Sequence, residues 1–284
     1  MEKKDLLKDT IKHIDIKSYD STQLIDAMRD MSFTSRDTAR AADILMKMVK
    51  EKECTNILTI AGSTSAAGCM QVYVDMVRNK MIDVVVATGA SIIDMDLFEA
   101  LGFKHYKGRQ DVPDMQLRDL YIDRIYDTFI DEEELQICDH TTYEIANALE
   151  PRPYSSREFI WEIGKWLTQH SVKKDSLIQT CYECGVPIFC PAFSDCSAGF
   201  GIGKHQWEHP EKHVSIDSVK DFIELTMIKM NAPTTGLFMI GGGTPKNFAQ
   251  DTVVCAEILG HEVPMHKYLS LIHISEPTRR VVIS

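Results

Sequence analysis

Three turns of small residues, each following an apolar run, are the part of this sequence best suited to hold a ligand by its phosphates. The sharpest is Phe238–Phe248, FMIGGGTPKNF, where an apolar run meets three glycines centred on Gly242 and then a helix start. Glycines let a backbone come close to a ligand, and the amides at a helix start favour an anion such as a phosphate. Thr244 suits the cap of that helix and Pro245 its first turn. The other two turns are AGSTSAAG (Ala61–Gly68), headed by Gly62 and Ser63, and ATGAS (Ala87–Ser91), with Thr88, Gly89 and Ala90. A dinucleotide pyrophosphate would fit such a set. Each turn alone serves equally well as a tight connection, and the GxGxxG fingerprint is absent. Three of them at the ends of strands outline one crevice, where open α/β sheets bind ligands.

Several side chains around these turns have two readings. Asp195, in CPAFSDCSAGFG, could hold a ribose hydroxyl or an ammonium group, or bond its own backbone in a turn. Asp94 and Asp96, in SIIDMDLFEAL, are either pocket carboxylates or first-turn acids of a helix. Cys181 and Cys184 form a CxxC, with Cys190 and Cys196 downstream, but the spacing is not that of two CxxC pairs. Buried reduced thiols are expected there, and no metal site. His205, His209 and His213 recur at every fourth position, yet Pro210 breaks the helix that would align them, so a solvated loop is expected. The run Asp131–Glu134 reads as an exposed helix start.

The elements that must position these residues alternate along the chain. Strands are expected at Asn56–Gly62, Met81–Ala90, Val186–Ala192 and Thr235–Gly243. Helices are expected at Ala39–Lys50, Gly68–Lys80, IIDMDLFEAL, Asp131–Leu149, Ser156–His170 and Ser215–Met230. The strand runs are nearly continuously apolar, the pattern of strands buried on both faces. The expected fold is α/β: a Rossmann-like, doubly wound, mostly parallel sheet with helices on both faces, in a single domain over residues 1–268.

Composition agrees and narrows the function. The chain has 284 residues with 44% hydrophobic and 26% charged side chains, the range of an ordinary globular protein. Apolar stretches fall short of the roughly 20 residues that span a bilayer, and the charged amino terminus does not resemble a secretory signal, so a cytoplasmic protein without a membrane partner is expected. A net charge of −11 disfavours nucleic acid and attracts a cation.

The stretch Leu269–Ser284, LSLIHISEPTRRVVIS, changes character abruptly. Its first eleven residues, LSLIHISEPTR, match the translation of a transposase-type sequencing adapter. Residues 269–284 are therefore expected to be a read-through tail on a gene cut near Tyr268.

Taken together, GSTSAAG, MIDVVVATGAS, VPIFCPAFSDCSAG and MIGGGTPKNF resemble the deoxyhypusine synthase family in order and spacing from about Asn56 to Tyr268. The resemblance implies a Rossmann-like homotetramer with sites between subunits and NAD as cofactor. It implies oxidation of spermidine, transfer of its aminobutyl group through an imine on an enzyme lysine, and a protein lysine as acceptor. On this resemblance Gly62, Ser63, Thr88, Gly89, Ala90, Asp195 and Gly242 hold the cofactor, and Asp94, Asp96 and Asn247 face the amine. Two positions depart from the family pattern: Phe200 stands where an amine-binding aspartate is usual, and Asn247 where a histidine is usual. The chain thus resembles the bacterial deoxyhypusine synthase-like branch, for which other cationic substrates, such as agmatine, and small amine acceptors are implied. The family's catalytic lysine lies in a WGK motif that these residues do not contain, so no catalytic residue is assigned and the chain alone is expected to be inactive. Lys246 is expected to be an ordinary helix-start lysine.

Overall fold

The structure is a computed structural model that describes residues 2–272. Its centre is a five-stranded, all-parallel sheet of β1 (Cys54–Ile60), β2 (Val84–Ala87), β3 (Ile188–Phe189), β4 (Thr234–Ile240) and β5 (Tyr268–Ile272), in the spatial order β5-β4-β1-β2-β3. The register pairs Ile57 with Val84 on one side and with Leu237 on the other.

Alternation within each strand explains the continuous apolar runs. Leu58 and Ile60, Val85 and Ala87, Phe238 and Ile240 enter one core, while Ile57, Val84 with Val86, and Leu237 with Met239 enter another on the opposite face. Helices α2 (Met70–Arg78), α4 (Ser156–His170) and α5 (Leu177–Cys184) cover the first face. Leu225 of α7 (Ser218–Asn231) and Ala249 of α8 (Thr244–Gln250) cover the second. The doubly wound α/β fold is what the sequence predicts. Helix α1 (Phe33–Lys50) reaches the sheet through buried Met48, whose side chain lies where a Cβ on Gly236 would be, at 2.8 Å.

The helix boundaries follow local chemistry. Ser155 caps α4 in a capping box with Glu158, and Asp131 caps α3 (Glu132–Ala148) by accepting from the amides of Glu133 and Glu134. The expected strand over Val186–Ala192 shrinks to the two residues of β3. Pro187 and Pro191, which lack an N–H, bracket it, and Ala192 turns away at φ 60°. Thr244 is the first helical residue of α8 rather than its cap, a place Gly243 takes at φ 71°. A three-stranded antiparallel sheet, Tyr106–Lys107, Thr128–Asp131 and Ile122–Ile125, precedes α3 and was not foreseen. Strand β5 takes in Leu269 to Ile272, the first residues of the stretch that reads as a tail, and residues 273–284 lie outside the described residues. Among the described residues no helix is long and apolar enough to cross a membrane.

Candidate functional site

Sheet order fixes where a ligand can sit. The chain runs outward from β1 through β2 to β3, then returns to the other side of β1 for β4 and β5. The connections leaving β1 and β4 therefore part in opposite directions, toward α2 and α8, and open a crevice at the carboxyl ends of these strands. All the expected cofactor residues lie on the turns around that crevice.

The turns are held to one another. The amide of Ala61 donates to Ile240 O at 2.9 Å, and the amide of Thr88 to Ile60 O at 3.1 Å. Gly241 has φ 75°, and a Cβ there would stand 2.6 Å from Ala61 O. The Ser91 hydroxyl donates to Gly62 O at 2.8 Å and lies 3.0 Å from Thr88 Oγ1, while Ser65 Oγ donates to Ser91 O at 3.1 Å. A Cβ on Gly89 would lie 2.5 Å from Cys196, next to Asp195. A widened helical turn, Ala90–Leu97, leads out of the second turn, and Gly68, at φ 91°, kinks the chain at the end of the first.

Gly62, Gly242 and Gly243 differ from these packed glycines, because among the described residues a Cβ on any of them would meet nothing within 4 Å. Their backbone faces open space, a cradle that side chains would fill, and this fits a group bound through main-chain amides. Asp195 is exposed, its carbonyl oxygen 3.5 Å from where a Cβ on Gly89 would stand, and exposed Asn247 lies on the first turn of α8.

Next to the crevice lies an anionic hollow of about 380 Å³, lined by Asp94, Asp123, Glu132, Leu135, Asp139 and Phe200, together with Gln136 and Ser197. Among the described residues no basic side chain lines it. Burial pushes the Asp94 carboxyl up to about 6, with Asp139 and Asp195 adding repulsion and the Ser197 amide, bonded to Oδ1 at 2.8 Å, opposing it. Burial likewise raises Asp139, whose Oδ1 is buried without a hydrogen-bond partner among the described residues, and raises Asp123, with repulsion from Glu132. Crowded, half-desolvated carboxylates of this kind favour a cation. Phe200, 69% exposed, stands at the hollow.

Sequence reasoning missed Asp123, Glu132 and Asp139. Glu132, Leu135, Gln136 and Asp139 stand at i, i+3, i+4 and i+7, so one face of α3 carries them, a spacing that was legible. Asp123 comes from the unforeseen antiparallel sheet.

Other expected residues lie elsewhere. Asp96 does not face the hollow: fully buried, it accepts from Ser176 Oγ, Leu177 N and Ile178 N at 2.8 to 2.9 Å and so caps α5. His205 is a buried helical residue rather than part of a solvated loop, paired with Asn147 at 2.5 Å and accepting from Val214 N at 3.0 Å. Cys181, Cys190 and Cys196 are buried and Cys184 is exposed. Among the described residues no group of three or more His, Cys, Asp or Glu side chains is placed to hold a metal ion. Lys229 is buried and burial lowers its pKa, but it lies at the other end of the sheet, where its Nζ donates to Thr235 Oγ1 at 2.8 Å. A cavity of about 900 Å³ also opens at that end, beside Thr55, Pro187 and Pro233. Its rim charges are already paired, Arg157 with Glu224 at 2.6 Å and Arg152 with Glu158 at 3.3 Å.

Known proteins are similar to this chain. The deoxyhypusine synthase family model matches residues 23–276. A deoxyhypusine synthase-like protein of Coxiella burnetii is 62% identical over 275 residues, 96% of this chain and 78% of that protein. One of Caulobacter vibrioides is 64% identical over 279 residues, 97% of this chain and 76% of that protein. A solved structure assigned as a deoxyhypusine synthase of Entamoeba histolytica superposes with a TM-score of 0.58 at 20% identity, over 82% of this chain and 79% of that one, a likeness of fold.

Proposed function

Because the chain belongs to the deoxyhypusine synthase family, a family of transferases, we propose that it binds NAD in the crevice and a polyamine or agmatine-like cation in the hollow beside it, for NAD-dependent aminoalkyl transfer. The observation that carries this reading is the adjacency of the two. Ser91, whose hydroxyl donates to Gly62 O, stands three residues before Asp94 of the hollow, and the Ser197 amide bonded to Asp94 joins the turn of Asp195, packed at Gly89, to the same hollow.

Each residue then has a task. Gly62, Ser63, Thr88, Gly89, Ala90 and Gly242 present backbone amides and small side chains to the nucleotide, and Asp195 accepts from a ribose hydroxyl. Bound NAD would supply the acceptor and donor of hydride. Asp94 and Asp139 receive an ammonium group of the substrate, and Asp123 with Glu132 a second one. Asn247 is placed beside Gly243 to meet the ligand from α8. Sites shared between subunits of a homotetramer, as the resemblance implies, complete the arrangement.

The nucleophilic lysine of the family belongs to a WGK motif that these 284 residues do not contain. Imine chemistry needs an amine beside the nicotinamide, so these residues by themselves are proposed to bind without turning over. An amine substrate other than spermidine is favoured by Phe200 and Asn247, since both replace groups that the resemblance directs at the amine, and a small amine acceptor in place of a protein lysine is the alternative reading.

Calorimetric titration of the protein with NAD, and with spermidine or agmatine in its presence, tests the reading. Saturable binding of NAD, with amine affinity that rises once NAD is bound, is the expected result. Absence of any NAD binding would end it.

A further inference from the structure

The first nucleotide turn is fixed at its near end by β1 and Ser91, but its far end leans on a distant part of the chain. Gly68, at φ 91°, closes that turn, and a Cβ there would stand 2.7 Å from Lys12 O. The Ile14 amide donates to Gly68 O at 2.9 Å. An arm from the amino-terminal region therefore lies against the back of the turn.

The arm is itself held in an extended form. Lys107 N donates to Asp9 O at 2.7 Å, Thr10 bridges Tyr106 in antiparallel fashion, and Ile11 N donates to His105 O at 2.8 Å. One residue before the bond to Gly68, His13 Nε2 meets Glu99 Oε2 at 2.6 Å. Glu99 also receives Lys173 Nζ at 2.5 Å and pairs with His105 Nδ1 at 2.8 Å. It sits in the helical turn Phe98–Ala100, which continues directly from the turn Ala90–Leu97 behind the second nucleotide loop. Through His13 the arm thus ties the back of the first loop to the helix that follows the second.

Burial pushes the Glu99 carboxyl up, but the bonds from His105 and His13 and the charge of Lys173 outweigh it and hold the group well below the usual carboxylate range. Losing His13 alone leaves Glu99 two partners, so the buried charge stays compensated and the domain stays folded.

We propose that His13 is a positioning residue: latched to Glu99, it presses the arm Asp9–Ile14 against Gly68 and fixes the loop Gly62–Gly68 in the shape that receives the cofactor. The part concerning the cofactor rests on the function proposed above. The competing view gives the loop its shape from within, through Ala67 N to Ser63 O at 3.1 Å and Cys69 N to Thr64 O at 3.0 Å.

The test compares the 284-residue protein with His13→Ala, His13→Gln and, as an exposed control, His170→Ala. Hydrogen exchange is measured without nucleotide, and NAD affinity by calorimetry. His13→Ala is expected to speed exchange of the 63–69 amides about tenfold while β1 and β4 are unchanged, and to weaken NAD binding by a similar factor. Glutamine, whose Nε2 can donate to Glu99, is expected to restore both, and the control to change neither. Unchanged exchange in the loop of His13→Ala, or exchange that rises equally in the sheet, would overturn the latch. A wild-type protein that ignores NAD would remove the cofactor reading, while the exchange contrast would still decide the latch.

Discussion

The Ser197 amide donates to Asp94 Oδ1 at 2.8 Å, so the first residue of α6 (Ser197–Glu208) and the connection after β2 meet on one carboxylate. The neighbouring acid, Asp96, lies two residues on and spends its oxygens on α5 instead. Two aspartates of one short motif thus have separable tasks.

Their substitution should separate ligand binding from stability. Asp94→Asn is expected to weaken amine binding about ten- to hundredfold with little loss of stability. Asp96→Ala leaves the Leu177 and Ile178 amides unsatisfied and is expected to cost about 3 kcal/mol or more, read as a lower denaturation midpoint. Amine titrations and urea melts of the two variants check this, and reversed outcomes would refute the division.

Asp94 also sets a pH dependence. Its carboxyl is raised to about 6 in the folded chain, so between the unfolded carboxylate value and 6 the native state binds more protons. Stability contributed here is therefore present at low pH and declines as pH rises through 6. Amine binding needs the charged form and should strengthen over the same interval. An amine affinity that is flat from pH 5 to 7 would count against Asp94 as the anchor.

Gly241 and Gly242 should behave oppositely although adjacent. Alanine at 241 combines φ 75° with a Cβ 2.6 Å from Ala61 O and is expected to destabilise by about 2–4 kcal/mol. Alanine at 242 meets open space and should melt like the wild type while weakening NAD binding about tenfold, because its methyl group enters the cradle. Thermal melts with and without NAD distinguish them.

Lys229 is buried with Thr235 Oγ1 as its hydrogen-bond partner among the described residues. Lys229→Met is expected to stabilise the protein by about 1–3 kcal/mol near neutral pH. Burial lowers this lysine's pKa, so the unfolded chain binds the extra proton first as pH falls. The wild type should therefore gain stability as pH rises toward the ordinary lysine value, and the methionine variant should lose that slope. Urea melts between pH 7 and 10 measure it.

Phe200→Asp returns a carboxylate to the rim of the hollow. Spermidine binding is expected to tighten about tenfold, with a smaller change for amines carrying a single ammonium group. Equal changes for both would separate Phe200 from substrate choice.

The fold was legible wherever a strand is buried on both faces, as in Met81–Ala90 and Thr235–Gly243, because continuous apolar runs leave little choice of partner. The antiparallel sheet escaped because its hairpin turns on Tyr126–Asp127, with Tyr126 at φ 58°, and carries no glycine to mark it. That omission hid Asp123, and with it one wall of the hollow. His205 was misread because Pro210 follows the end of α6 at Glu208 rather than interrupting it. The glycine turns were visible as motifs. Which of their glycines are packed and which are open depends on neighbours far away in sequence, Ala61 for Gly241 and Cys196 for Gly89.

Ser91 gives the crevice a mechanical character. Its hydroxyl is shared between Gly62 on one lip and Thr88 on the other, so neither lip can swing without dragging its neighbour. The two move as a single unit, and the turn after β4 is braced against that unit by the Ala61 amide on Ile240 O and by the close packing of Gly241 on Ala61.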